Sequence, residues 1–252
     1  MLAAARKDLL LARLRSDGRI VAKELAVELG ISEDSIRRDL RELDAAGLAV
    51  RVYGGALPAS PAVVDYAARQ TVATDSKQRV GRLAASLIDP GSTVLIDGGT
   101  TALETVRAID RSLECTIITH SPTIASALLD HAAEVLIIGG RLFKHSAVAS
   151  GAAAVEATRA ISADRFFLGV TGIHESEGLT TGDADEAAMK RALAGRAAET
   201  YVLGSSEKLG TVSRFRVLPL DEVTAILIDG ADADSPAATA LAERGVTLRH
   251  TV

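Results

Sequence analysis

Seven short apolar runs recur through the last two-thirds of the chain: Thr93-Val-Leu-Ile-Asp97, Cys115-Thr-Ile-Ile-Thr119, Val135-Leu-Ile-Ile138, Arg165-Phe-Phe-Leu-Gly-Val170, Tyr201-Val-Leu203, Ala225-Ile-Leu-Ile-Asp229 and Val246-Thr-Leu-Arg-His250. Most are continuously apolar rather than alternating, which reads as strands covered on both faces. A helical stretch at about Lys77 to Ile88 precedes them, and alanine-rich helical stretches such as Thr100 to Ile109, Pro122 to Leu129 and Asp185 to Ala198 separate them. Strand and helix in alternation predict an α/β domain with a mainly parallel sheet.

The first 57 residues are of a different kind. They read as short helices with charged faces, ended by Gly54-Gly55 and the proline-bearing Pro58-Ala-Ser-Pro61. The expected organisation is a small helical domain at 1–57, a linker at 58–74 and an α/β domain at 75–252, with relative domain movement easiest at the linker. In GISEDSIRRDLREL, Ser32 is placed to cap a helix, and Glu33 and Asp34 suit the positive end of its dipole. At 100° per residue Ile36, Leu40 and Leu43 share one stripe, while Asp34, Arg37, Arg38 and Arg41 share the other. The preceding Val21-to-Leu29 stretch closes on Gly30, a residue suited to a left-handed cap, so the two helices form a helix-turn-helix. Leu48-Ala-Val-Arg-Val-Tyr53 meeting Gly54-Gly55 suits a two-stranded wing with Arg51 and Tyr53 near a DNA backbone. The alternative is a solvated face on which the arginines pair with Asp34, Asp39 and Glu42.

Charge and composition limit the partners. The formal charge is −5, yet residues 1–57 hold ten Lys/Arg against nine Asp/Glu, net +1, leaving 18 against 24, net −6, for the rest. Nucleic acid would therefore be met by placement of charge in the first segment. Aromatics are 3% with no tryptophan, against a base-stacking single-strand binder. A lone cysteine, Cys115, allows no internal disulfide and reads as a buried small hydrophobe, and His120, His131, His145, His174 and His250 have no metal-ligand spacing. Asp229-Gly-Ala-Asp-Ala-Asp234 opens like a calcium loop but lacks the closing glutamate. No metal and no cofactor is expected. Neither an apolar signal core nor a membrane-spanning run is present, implying a cytoplasmic protein.

Asp97-Gly-Gly-Thr-Thr101 follows a strand and opens a helix, so Gly98, Gly99, Thr100 and Thr101 can bring backbone amides, hydroxyls and the helix N-terminus to an anion. A tight structural turn is the other reading. The loop Thr171 to Asp183, containing Gly172, and the loop Gly204 to Gly210, containing Lys208, also follow strands, and all should gather at the carboxyl edge of the sheet. Lys190, four residues after Glu186, could form an ordinary surface pair or reach a ligand.

The segment Arg6 to Pro58, through Leu25-Ala, Gly30-Ile-Ser32, Ser35-Ile-Arg-Arg-Asp-Leu40, Gly47 and Arg51-Val-Tyr-Gly-Gly-Ala56, resembles the N-terminal signature of the DeoR/GlpR family of bacterial transcription regulators. Ser35 and Tyr53 stand where that family often has threonine and histidine. Asp75 to Ile228 resembles the family's sensor domain, similar in fold to ribose-5-phosphate isomerase. The resemblance implies DNA contact through Ser32, Asp34, Ser35, Arg37, Arg38, Arg41, Arg51 and Tyr53. It also implies a phosphorylated sugar held by Gly98 to Thr101, with Gly172 and Lys190 in the matching segments and Lys208, Asp97, Asp183 or Glu186 facing hydroxyls. Ser205-Ser-Glu-Lys208 replaces the usual Asp-Ser-Ser-Lys. The reading is a repressor of sugar-metabolism genes that binds double-stranded operator DNA as a homodimer or homotetramer. A sugar-phosphate isomerase-like enzyme with an appended DNA-binding domain is the alternative, and a helix-turn-helix used only for protein contact is a third.

Overall fold

The computed structural model describes residues 2–251. Its N-terminal domain comprises α1 (Ala3–Asp17), β1 (Ile20–Val21), α2 (Ala22–Leu29), α3 (Glu33–Ala45), β2 (Ala49–Val52) and β3 (Gly55–Pro58). Leu10, Leu14, Leu25, Ile36, Leu40 and Leu43 form one small core between the helices. Gly30 ends α2 in the left-handed conformation, and Ser32 caps α3 by accepting from the Ser35 amide. The strands form a sheet in the order β1-β3-β2, in which Gly55 lies against β1 so closely that a Cβ would come 1.7 Å from the Ile20 carbonyl oxygen.

The next segment contains a 3-10 turn at Pro61–Val63 and α4 (Tyr66–Arg69), and leads into α5 (Thr74–Ala85). Residues 58–74 lie along the second domain: Ala59 bridges Val212, the Ser60 amide donates to the Val212 carbonyl at 3.0 Å, and the Ser60 hydroxyl donates to the Thr171 carbonyl.

The second domain then runs β4 (Thr93–Ile96), α6 (Thr100–Ala108), β5 (Thr116–Thr119), α7 (Pro122–Ala127), β6 (Glu134–Ile137), β7 (Arg141–Phe143), β8 (Val148–Ser150), α8 (Ala152–Ala157), β9 (Ala163–Leu168), β10 (Gly172–His174), β11 (Gly178–Thr181), α9 (Ala184–Ala194), β12 (Ala197–Gly204), β13 (Phe215–Leu218), β14 (Ala225–Ile228), α10 (Pro236–Glu243) and β15 (Leu248–His250). The seven expected strands make one parallel sheet, ordered β15-β14-β12-β9-β4-β5-β6. Their unbroken apolar character has a simple cause, because alternate residues serve two cores. Leu95, Phe166, Leu168, Val202 and Ile226 point to one side, whereas Val94, Ile96, Phe167, Tyr201 and Leu227 point to the other. Cys115 belongs to the second core, and burial pushes its thiol up.

Three expectations change. Residues 171–183, read as a polar loop, instead form the β10–β11 hairpin, which β13 extends into a separate antiparallel sheet. The helix expected from Asp185 to Ala198 stops at Ala194, and Ala197 already begins β12, which pairs with β9. Edge strand β6 is only partly covered on both faces, so the neighbouring Leu136 and Ile137 are both exposed.

Candidate functional site: an anion pocket and a basic helix face

The sheet order reverses between β4 and β9: the chain leaves β4 toward β5 and β6, and leaves β9 toward β12 and β14. A crevice opens at such a reversal on the carboxyl edge. Here it is lined by Gly98 to Ala102, by Gly169 to Thr171, by Thr181, Glu186 and Lys190, by Glu207 and Lys208, by Ser146 between β7 and β8, and by Ala62 and Arg69 from the interdomain segment.

At the start of α6, Gly99 has φ +114°, a value that L side chains rarely adopt, and no side chain caps the helix. Amides of the first turn are thus left to meet an anion, with the helix dipole behind them. Lys208 is buried, donating to Thr101 Oγ1 at 3.0 Å and to the Leu203 carbonyl at 2.8 Å. Burial, reinforced by Lys77 and Arg69 and opposed by Glu207, brings its ammonium down to about 8.

Asp97 is placed differently from the expectation that it faces sugar hydroxyls. Its carboxylate receives the amides of Gly98 (2.8 Å) and Gly169 (2.9 Å) and the Lys190 ammonium (2.6 Å), and the His120 ring nitrogen Nε2 lies 2.7 Å away. Four partners match the roughly four lone-pair sites of a carboxylate. Burial alone would push this carboxyl up, but Lys190 and His120 overcome it and hold it well below the usual range. Asp97 therefore organises the site from beneath. Lys190 makes this buried pair with Asp97 rather than the surface pair with Glu186, and lines the pocket. His120, unassigned from the sequence, is fixed by the Ala149 carbonyl, 2.8 Å from its Nδ1.

Gly172 and Asp183 do not line the crevice. A Cβ at Gly172 would lie 2.6 Å from the Thr211 carbonyl oxygen, so this glycine lets β10 pack closely against the backbone at Thr211 and Val212. Asp183 caps α9 by accepting from the Glu186 amide at 3.0 Å. Among the described residues no group of three His, Cys, Asp or Glu side chains is arranged to hold a metal.

In the first domain two of the acids expected to neutralise α3 are engaged by another helix instead. Asp39 is buried against Arg6, and Glu42 pairs with Lys7, both partners lying on α1. Arg37 pairs with Glu33 one turn earlier, while Arg38 and Arg41 are exposed with no acidic partner among the described residues. Arg37, Arg51 and Tyr53 line a groove between α3 and the β2–β3 wing, together with Lys23, which the sequence pattern did not single out. Asp34 is exposed, and Ser32 and Ser35 hold each other at 2.9 Å in the cap.

Comparison with known proteins agrees with this division. Residues 6–61 match the model of the DeoR-like helix-turn-helix domain, and residues 72–230 match that of the DeoR C-terminal sensor domain. The HTH-type transcriptional regulator GlpR of Haloferax volcanii is 33% identical, with 87% of each chain covered. The HTH-type transcriptional repressor GlcR of Bacillus subtilis is 30% identical over 86% of this chain and 84% of its own, and the glycerol-3-phosphate regulon repressor of Escherichia coli is 28% identical over 86% of both. Among solved structures, ribose 5-phosphate isomerase A of Methanocaldococcus jannaschii aligns over 54% of each chain at 17% identity and a TM-score of 0.40, too distant to bear on activity. With both halves matched and its relatives aligned over most of their length, the chain belongs to the DeoR family of DNA-binding transcriptional regulators.

Proposed function

We propose that this protein represses sugar-metabolism genes in the cytoplasm, binding operator DNA through α3 and the wing with an affinity set by a phosphorylated sugar in the crevice at β4 and β9. The observation that carries the reading is the crevice itself, where an uncapped helix start, Lys190 and Lys208 converge at the sheet's reversal point. Those groups are suited to a phosphate, and Thr100, Thr101 and Glu186 supply polar atoms for the rest of a sugar. Arg38 and Arg41 are suited to base edges or phosphates of a major groove, and Arg51 and Tyr53 to the flanking backbone. The glycerol-3-phosphate repressor among the relatives supports a small phosphorylated effector.

A homodimer or homotetramer fits paired half-sites. Leu129, Leu136, Ile137 and Leu142 are exposed at and beside edge strand β6, an apolar surface suited to a second copy. No helix among the described residues is long and apolar enough to cross a membrane.

Fluorescence anisotropy of the full-length protein on the DNA upstream of its own gene, at two salt concentrations and titrated with phosphorylated sugars, tests the reading. Salt-sensitive specific binding that one phosphorylated sugar shifts is the expected result. Sequence-independent binding that no sugar phosphate alters would refute it.

A further inference from the structure

Among the described residues, five buried side-chain nitrogen or oxygen atoms have no hydrogen-bond partner, and two of them, Nε and Nη2, belong to Arg69. A third, Glu207 Oε2, lines the same crevice as Arg69. A guanidinium cannot shed its charge in a protein, and buried donors left unmet are costly. Burial works against the Arg69 charge and Glu186 offsets this in part. Its backbone is held as well, since Lys77 Nζ donates to the Arg69 carbonyl at 2.7 Å and lies 3.5 Å from Glu207. The side chain is thus anchored at its base with two donors unspent.

The crevice is narrow. Its free space is about 30 Å³, room for about two waters, so a phosphorylated sugar requires one wall to move. Most walls are ends of strands and helices rooted in the two large cores. The exceptions are the buried Ser146 in the β7–β8 turn and the interdomain segment, which contributes Ala62 and Arg69 while most of its other residues, Val63 to Asp65 and Ala67, Ala68 and Gln70 among them, are exposed. Its hold on the rest of the domain is by a few hydrogen bonds, including the Tyr66 amide to the His145 carbonyl at 2.8 Å, the contact of His145 Nε2 with the Val63 carbonyl at 2.8 Å, and those of Ser60. Segments with few buried apolar contacts open at low free energy. At its other end the segment is continuous with wing strand β3, which ends at Pro58.

We propose that Arg69 binds the anionic group of the effector, and that residues 58–70 are the wall that moves to admit it. This rests on the crevice being the effector site. The same stretch of chain then reads occupancy at one end and positions the wing at the other. An effector would bias DNA binding because it binds differently to the two placements of this segment.

The test uses the full-length protein, with inorganic phosphate and a panel of phosphorylated sugars as probes. Binding is followed by calorimetry, and backbone motion by hydrogen exchange at residues 58–72. Lys208→Ala serves as the comparison for the pocket. Arg69→Gln should weaken binding of the probe at least tenfold, and Arg69→Lys, which restores a point charge without the fork, should recover it in part. Saturating probe should change exchange across 58–72 in the wild type and leave it unchanged in Arg69→Gln. Wild-type affinity in Arg69→Gln, with binding lost in Lys208→Ala, would overturn the role of Arg69 while leaving the pocket in place. Unaltered exchange at 58–72 in the saturated wild type would overturn the moving wall. Absence of binding by any probe to the wild type would overturn the effector site and this inference together.

Discussion

Lys208 is a buried cation whose charge can be read by titration. Burial brings its ammonium down to about 8, and a bound anion favours the charged form, so a complex would hold the proton to higher pH. Affinity for a phosphorylated effector should be nearly level around pH 7, where the phosphate is mostly dianionic and Lys208 charged, and fall as pH rises through about 8, by up to about tenfold per unit; calorimetry between about pH 7 and 9.5 would show the break. Asp97 is a second test at this scale. Asp97→Asn leaves Lys190 buried without its counter-charge, a change that costs about 3–5 kcal/mol where a buried pair is broken. Urea unfolding followed in the sensor domain should show the loss. Lys208 was legible beforehand as a site residue, in a loop that follows a strand, whereas the supporting role of Asp97 was not: it was visible as the start of a phosphate loop, but its partners His120 and Lys190 lie 23 and 93 residues away in the chain. Arg69 was missed because it sits alone among small residues, outside any periodic pattern, and only the folded path of the segment brings it to the crevice.

At the level of elements, α3 and the wing make separable predictions. Arg38→Ala and Arg41→Ala should each weaken operator binding, by about 1–3 kcal/mol if the side chain reads a base, or with a salt dependence shallower by about one counterion if it meets a phosphate. Anisotropy across a salt series distinguishes the two. Gly55→Ala drives a methyl into the Ile20 carbonyl, so β1 must part from β3. A loss of about 1–3 kcal/mol in stability of the N-terminal domain is expected from such overpacking, measurable as an early thermal transition. Most of the parallel strands were readable because two cores leave few polar positions in their middle. The β10–β11 hairpin was not, since Gly172–His174 and Gly178–Thr181 carry little apolar signal, and the pairing with Phe215–Leu218 is remote in sequence.

For the whole molecule, the exposed edge at β6 predicts self-association. Light scattering after size exclusion should give two or four times the mass of one chain, and Leu136→Lys with Ile137→Lys should reduce it and weaken binding to paired half-sites. A further property follows from the way α1 draws Asp39 and Glu42 away from the outer face of α3. The N-terminal domain shows bare arginines to solvent while the remainder of the chain carries a net charge of −6. The molecule is therefore electrically polarised, and a polyanion attracts one end of it and repels the other. Such a chain meets a duplex already turned the right way round, so the speed of encounter, as well as the strength of the final complex, should fall as salt is added.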